Sequence, residues 1–145
     1  MIEGLSHITL VVSDLDRTEE VFRTVFDAKR VYDSGDDTFS ISRERFFLIG
    51  GVWVAIMEGE PVRHRGYSHV AFKVDADQIG KYEERVKAAG LTLLPGRSRV
   101  PGEGQSVYFY DHDDYLFELH SGTLETRLQR YERGNPKGAE ASNGI

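Results

Sequence analysis

Two histidines, one glutamate and the intervals between them point to the chemistry open to this chain. His7 lies in GLSHITLVV (residues 4–12) and His69 in GYSHVAFKV (residues 66–74), two apolar stretches with a Ser-His pair near the start of each. The histidines stand 62 positions apart (69 − 7), and Glu118, in YLFELH, follows His69 by 49 (118 − 69). The period-2 geometry of a strand puts His7, Thr9 and Val11 on one face, His69, Ala71 and Lys73 on one face, and Leu116, Glu118 and His120 on one face. Counting 49 positions on from His7 reaches Ile56, so a duplicated site would have four corners, one of them apolar. Two imidazoles and one carboxylate, with coordination positions left over, describe a catalytic divalent-cation site rather than a closed structural one. A lone histidine in a strand is more often a core or surface residue; the common offset unites these three. A carboxylate in an apolar strand also needs a partner when buried. His64 and His112 fall in a linker and a turn, whereas His120 shares the face of Glu118 and competes as a ligand.

Holding these residues requires strands, and the chain spells the same order of elements twice. Residues 5–12 read as a buried strand. Asp14-Leu15-Asp16 supplies N-cap chemistry, with Glu19 and Glu20 in a first helical turn whose dipole favours acid. Val21, Phe22, Val25 and Phe26 recur at helical spacing, giving an amphipathic helix over residues 17–28. Short strands are expected over residues 30–33, 38–44, 46–49 and 52–57, with Gly50-Gly51 as a tight hairpin. Residues 58–66, EGEPVRHRG, form a polar linker. The pattern then restarts with a strand over 67–74, a cap at Asp75-Ala76-Asp77, and a helix whose stripe of Ile79, Tyr82, Val86 and Ala89 ends at Gly90. A strand over 91–94, a Pro-, Gly- and Arg-rich loop over 95–105, and strands over 106–110 and 115–120 follow. A short helix over 123–133 closes the chain, and residues 134–145 are expected to be a disordered tail. The reading is an α+β fold of two βαβββ modules, about residues 4–57 and 66–121, within one domain over 1–133. Neither module could bury both faces of its small sheet alone, so they should pair around a shared, curved sheet.

Composition narrows the field. A chain of 145 residues with 39% hydrophobic and 29% charged residues is ordinary for a globular protein. Its apolar runs, such as VWVAIM, are far too short to span a bilayer. The chain has no cysteine, which excludes disulfides, thiolate metal sites and a cysteine nucleophile. A formal charge of −6 argues against a phosphate-tracking surface for nucleic acid, although clustered arginines could still hold a small anion. With no basic, apolar leader at the N-terminus, the expected location is the cytoplasm.

The pairing of His7, His69 and Glu118 on this repeat resembles the vicinal oxygen chelate superfamily, whose modules form cupped mixed sheets around a metal. More narrowly, MIEGLSHITLVV, FSISRERFFLIGGVWVAIMEGE, GEGQSVYFYD and LFELHSGTLETRL resemble the fosfomycin resistance proteins, and among them the hydrolase type; the likeness covers residues 1–133. It implies a module-swapped homodimer that binds Mn²⁺ (other divalent ions being possible), each metal taking His7 from one chain and His69 with Glu118 from the other. It also implies a small phosphonate epoxide, fosfomycin, as substrate, with water added at carbon 1 to give a diol. Alternation in SRERFFL puts Ser42, Glu44, Phe46 and Leu48 on one face. Spacing alone makes Glu44 a solvated charge on an edge strand; the resemblance makes it the general base, with Arg43 and Arg45 on the opposite side helping to keep it ionised. Tyr108 and Arg127 match the family's anion-binding tyrosine and arginine, and Thr9 would lie beside the metal and the oxirane oxygen. Tyr67, Arg97, Arg99 and Ser106 are further candidates for the phosphonate. The loop PGRSRVPGEGQS lacks the lysine of a monovalent-ion site found in the glutathione-transferring branch, so no such site is expected.

Three functions compete. The first is a metal-dependent epoxide hydrolase that inactivates fosfomycin. The second is a transferase of the same fold adding glutathione or another thiol to the same epoxide. The third is a drug-sequestering protein without catalysis, in which Glu44→Ala would not affect protection. A glyoxalase-like isomerase would want a fourth ligand at Ile56, and non-haem iron dioxygenases are usually longer chains.

Overall fold

Alternating strand sequences give this chain two four-stranded mixed sheets, one per repeat, that share a pair of helices; the computed structural model describes residues 1–37, 39–96 and 100–134. The first sheet runs β1 (His7–Val12), β4 (Val52–Glu58), β3 (Glu44–Ile49), β2 (Lys29–Asp33) in spatial order. The second runs β5 (His69–Lys73), β8 (Leu116–His120), β7 (Ser106–Tyr110), β6 (Thr92–Leu93). In each sheet the opening strand lies parallel to the last strand of its repeat and the other pairings are antiparallel. The duplicated βαβββ order is therefore realised.

The first helix, α1 (Leu15–Phe26), starts where Asp14 turns extended and its side chain accepts from the Arg17 N–H at 3.0 Å. It ends at Asp27 in the left-handed region, φ 53°. The second, α2 (Ile79–Ala88), follows one 3-10 turn; Asp75 stands at the head of that turn without a side-chain cap bond. α3 (Leu124–Gly134) closes the described chain. Phe22 of α1 meets Phe47 of the first sheet (5.3 Å between ring centroids) and Phe117 of the second (6.2 Å). Phe26 meets Phe72 and Phe117 at 5.1 and 5.3 Å. Each buried phenylalanine contributes roughly 2–3 kcal/mol of transfer free energy, so α1 fastens the inner faces of both sheets into one core. Leu10, Val12, Phe47, Val54 and Ile56 line that core from one side and Val107, Phe109, Phe117 and Leu119 from the other. The opposite, outward faces carry the polar residues of interest.

A buried carboxylate joins the repeats. Asp113, 1% exposed, accepts from the Ser13 hydroxyl at 2.6 Å and the Arg63 guanidinium at 3.3 Å, with Arg17 at 3.6 Å. It thereby ties the end of β1, the linker and the β7–β8 turn together.

Several expectations change. No strand forms over residues 39–42, which bend; Thr38 lies outside the described residues. Pairing starts only at Glu44, where Ser34 closes the β2–β3 loop with a backbone N–H to the Glu44 carbonyl and a hydroxyl accepting the Glu44 N–H, both at 3.0 Å. The strand expected over 91–94 shrinks to Thr92–Leu93, which alone find partners in Tyr110 and Phe109. Ile56 is no corner of the site. The register pairs Thr9 with Ala55 as it pairs Ala71 with Glu118, so Ala55 is the counterpart of Glu118 and Ile56 points into the core. The second repeat is one residue longer over this interval (49 against 48). Glu19, expected as a first-turn acid, lies past the first turn of α1, is buried and pairs with Arg45 at 2.7 Å. The predicted tail beyond Gly134 lies outside the described residues. Among the described residues no helix is long and apolar enough to cross a membrane.

Candidate metal centre

On the outward face of the second sheet, β5, β8 and β7 bring His69, Glu118, Tyr108, Ser106 and His120 together. Register is the cause: Tyr108 lies directly opposite Glu118, and Ser106 opposite His120. The Nε2 of His69 stands 2.9 Å from Oε2 of Glu118, while Nδ1 lies 2.6 Å from the Tyr67 carbonyl oxygen. A carbonyl can only accept, so Nδ1 carries a proton and Nε2 is the nitrogen presented to the carboxylate. An imidazole nitrogen held this way by a backbone carbonyl, beside a carboxylate oxygen, is a donor set that suits a divalent cation.

Glu118 is 5% exposed. Burial would raise its carboxyl, but hydrogen bonds from Ser106 and Tyr108 and the neighbouring His120 and His69 outweigh it and hold the group below the usual carboxylate range. The Ser106 hydroxyl donates to Oε1 at 2.5 Å. Tyr108 is pushed up to about 12, by burial first and then by Tyr67 and Glu118; it stays a neutral hydroxyl donor at physiological pH. Tyr67 donates to the Tyr108 oxygen at 3.2 Å. Arg127, on α3, reaches Nε2 of His120 at 3.1 Å.

The first sheet presents His7, Thr9, Trp53, Ala55, Phe46, Leu48 and Glu44 outward. His7 packs its ring 4.3 Å from that of Trp53 and meets the Ser6 hydroxyl at 3.0 Å. Glu44 does not sit on an edge strand: β3 lies between β4 and β2, and Glu44 is only 9% exposed. No hydrogen bond or ion pair engages its carboxylate among the described residues. Arg45 faces the other way, as alternation requires, and is held by Asp16, Glu19 and Asp33 at 2.8, 2.7 and 3.1 Å. Its charge is therefore spent on that cluster rather than on Glu44, contrary to the expectation. Arg43 lies 3.6 Å from Glu58.

Within one chain the two histidines do not face each other. His7 and His69 belong to different sheets whose inner faces share α1, and among the described residues no three acidic or histidine side chains gather as a metal would need. His69, Glu118, Ser106, Tyr108, Tyr67 and Arg127 form one neighbourhood; His7, Thr9 and Glu44 share the other sheet. Arg97 and Arg99 lie outside the described residues. His112 lines a groove between α1 and α2 instead. Two roles escaped the sequence: Arg45 as the anchor of β3, and His120 as the partner of Ser106. The second was within reach, since His120 shares the face of Glu118 and only the β7–β8 register was missing.

The model of the Glyoxalase/Bleomycin resistance protein/Dioxygenase superfamily matches residues 4–119. The fosfomycin resistance protein FosX of Listeria innocua is 57% identical over 133 residues, which cover 92% of this chain and 100% of that protein. FosX of Mesorhizobium japonicum is 54% identical over 134 residues, covering 92% and 96%. A crystal structure of a mutant FosX from Listeria monocytogenes, complexed with Mn(II) and 1S,2S-dihydroxypropylphosphonic acid, superposes with a TM-score of 0.83 at 50% identity, covering 90% of this chain and 99% of that one.

Proposed function

The chain belongs to the Glyoxalase/Bleomycin resistance protein/Dioxygenase superfamily and, within it, to the fosfomycin resistance proteins of the FosX type, and from that membership we propose that it hydrolyses the epoxide of fosfomycin with the help of Mn²⁺. The observation that carries the hydrolytic reading is Glu44, a buried carboxylate on an interior strand that projects from the same face as His7. The diol phosphonate and Mn(II) held by the Listeria structure support both substrate class and metal.

His69, Glu118 and His7 would hold the ion, with other divalent cations able to serve. When bound, the ion supplies Lewis-acid stabilisation of the alkoxide that develops as the epoxide C–O bond breaks. Glu44 removes a proton from the water that adds to carbon 1. The epoxide oxygen then collects a proton from solvent, giving the diol. Tyr108, as a neutral donor, and Arg127, as a fixed cation, would orient the phosphonate, with Tyr67, Arg97 and Arg99 as further contacts; Ser106, expected among them, turns its one hydroxyl hydrogen to Glu118 instead. Thr9, two positions past His7, would sit next to the ion.

Because His7 and Glu44 lie on one sheet and His69 and Glu118 on the other, we place the complete site between two copies of the chain. The exposed outward face of the first sheet supports this: Val11, Leu48 and Trp53 are 37, 39 and 36% exposed there. One functional unit spans residues 1–133, acting in the cytoplasm. Phosphorus NMR of fosfomycin incubated with protein and Mn²⁺, with and without glutathione, tests the reading. Diol formation without thiol is expected; no turnover until thiol is added would assign a transferase, and no turnover in either arm would leave only binding.

A further inference from the structure

Beyond the ligands themselves, we infer that His120, with Ser106 and Arg127, forms a one-way hydrogen-bond chain that fixes the Glu118 carboxylate for the metal. Arginine has no acceptor, so the 3.1 Å contact from Arg127 makes Nε2 of His120 the accepting nitrogen. The ring proton is then on Nδ1, which stands 2.7 Å from the Ser106 oxygen and 3.3 Å from Glu118 Oε1. Ser106, accepting that proton's bond, turns its own hydroxyl hydrogen onto Oε1 at 2.5 Å. Every donor therefore points the same way, from α3 through β8 and β7 to one carboxylate oxygen. Oε1 is the oxygen so held, and Oε2 is the one that meets His69.

The chain also resolves the competition between Glu118 and His120. Both ring nitrogens of His120 are engaged, one by Arg127 and one by Ser106, so the ring presents no lone pair to a cation. His120 is a positioning residue. Arg127 carries five N–H donors, so its contact with His120 leaves others for an anion. Partners that orient a metal-binding carboxylate commonly govern metal affinity by about 10–100-fold when removed.

This inference rests on the metal-binding reading above, and titration of Mn²⁺ into the purified protein, without fosfomycin, separates the two. The parent should bind Mn²⁺ and His69→Ala should not; a parent that fails to bind rejects the metal reading itself. Given binding by the parent, His120→Leu should weaken it about 10–100-fold. His120→Asn should stay within about threefold, because its amide N–H can replace the Nδ1 proton. Ser106→Ala, which leaves the ring in place, should weaken Mn²⁺ binding as well, guarding against a His120→Leu protein that does not fold. Affinity unchanged in Ser106→Ala overturns the chain, as does equal loss in His120→Asn and His120→Leu. A purely structural role would lower thermal stability without separating the asparagine from the leucine variant.

Discussion

Glu44 and Arg45 are neighbours in sequence with opposite fates. Alternation sends Arg45 inward to three carboxylates and Glu44 outward, where its burial comes from its place on an interior strand and not from a charged partner. A general base needs its acceptor oxygen available, and this environment supplies that. Glu44→Gln preserves shape and would remove the proposed base; hydrolysis should fall by about 10²–10⁴-fold while Mn²⁺ affinity, read by calorimetric titration, stays at the parent value. Undiminished turnover would remove Glu44 from the reaction. The outward direction of Glu44 was legible in SRERFFL because period 2 is a local property. That β3 is interior was not, because strand order depends on β1 returning beside β4, a contact between residues more than forty positions apart. The partners of Arg45 were hidden for the same reason: they come from α1 and β2 and meet only after the sheet closes.

The turn joining β7 to β8 carries its own electrostatics. Asp111 receives the Asp113 and Tyr115 N–H groups on one oxygen, at 2.9 and 2.8 Å. Burial nonetheless raises its carboxyl to about 6. A raised acid binds more protons folded than unfolded, so its contribution to stability is most favourable below about pH 4 and is lost as pH rises through about 6. Asp111→Asn can keep an oxygen for both N–H groups and has no proton to lose. Urea unfolding from pH 4 to 7 should show the parent losing roughly 2–3 kcal/mol relative to that variant; parallel curves would show that Asp111 does not titrate in this range. At this scale the helices and most strands could be read from spacing and caps. The misplaced strand over residues 38–44 and the count to Ile56 failed differently. The first ran a strand through residues 39–42, which bend, whereas pairing starts only at Glu44, where Ser34 closes the loop. The second assumed repeats of equal length, and the two differ by one residue.

For the molecule as a whole, the decisive feature is that one core serves both sheets while the reactive residues look away from it. The proposed site, in which a second copy brings His7 and Glu44 over His69 and Glu118, can be tested by complementation. His7→Ala and His69→Ala chains, each inactive alone, should regain activity when unfolded together and refolded. A mixed dimer has one doubly damaged centre and one whole one, so random pairing should restore about a quarter of the parent rate. Failure to recover activity from a verified mixed dimer would place each centre within a single chain. The same segregation bears on how such a protein can vary. Along β1, β4, β7 and β8 one set of positions meets α1 and its neighbours, and the interleaved set faces outward toward the proposed site. A replacement in the second set changes what is recognised and leaves folding nearly untouched, so new antibiotic preferences can be reached one side chain at a time without a compensating repair in the core.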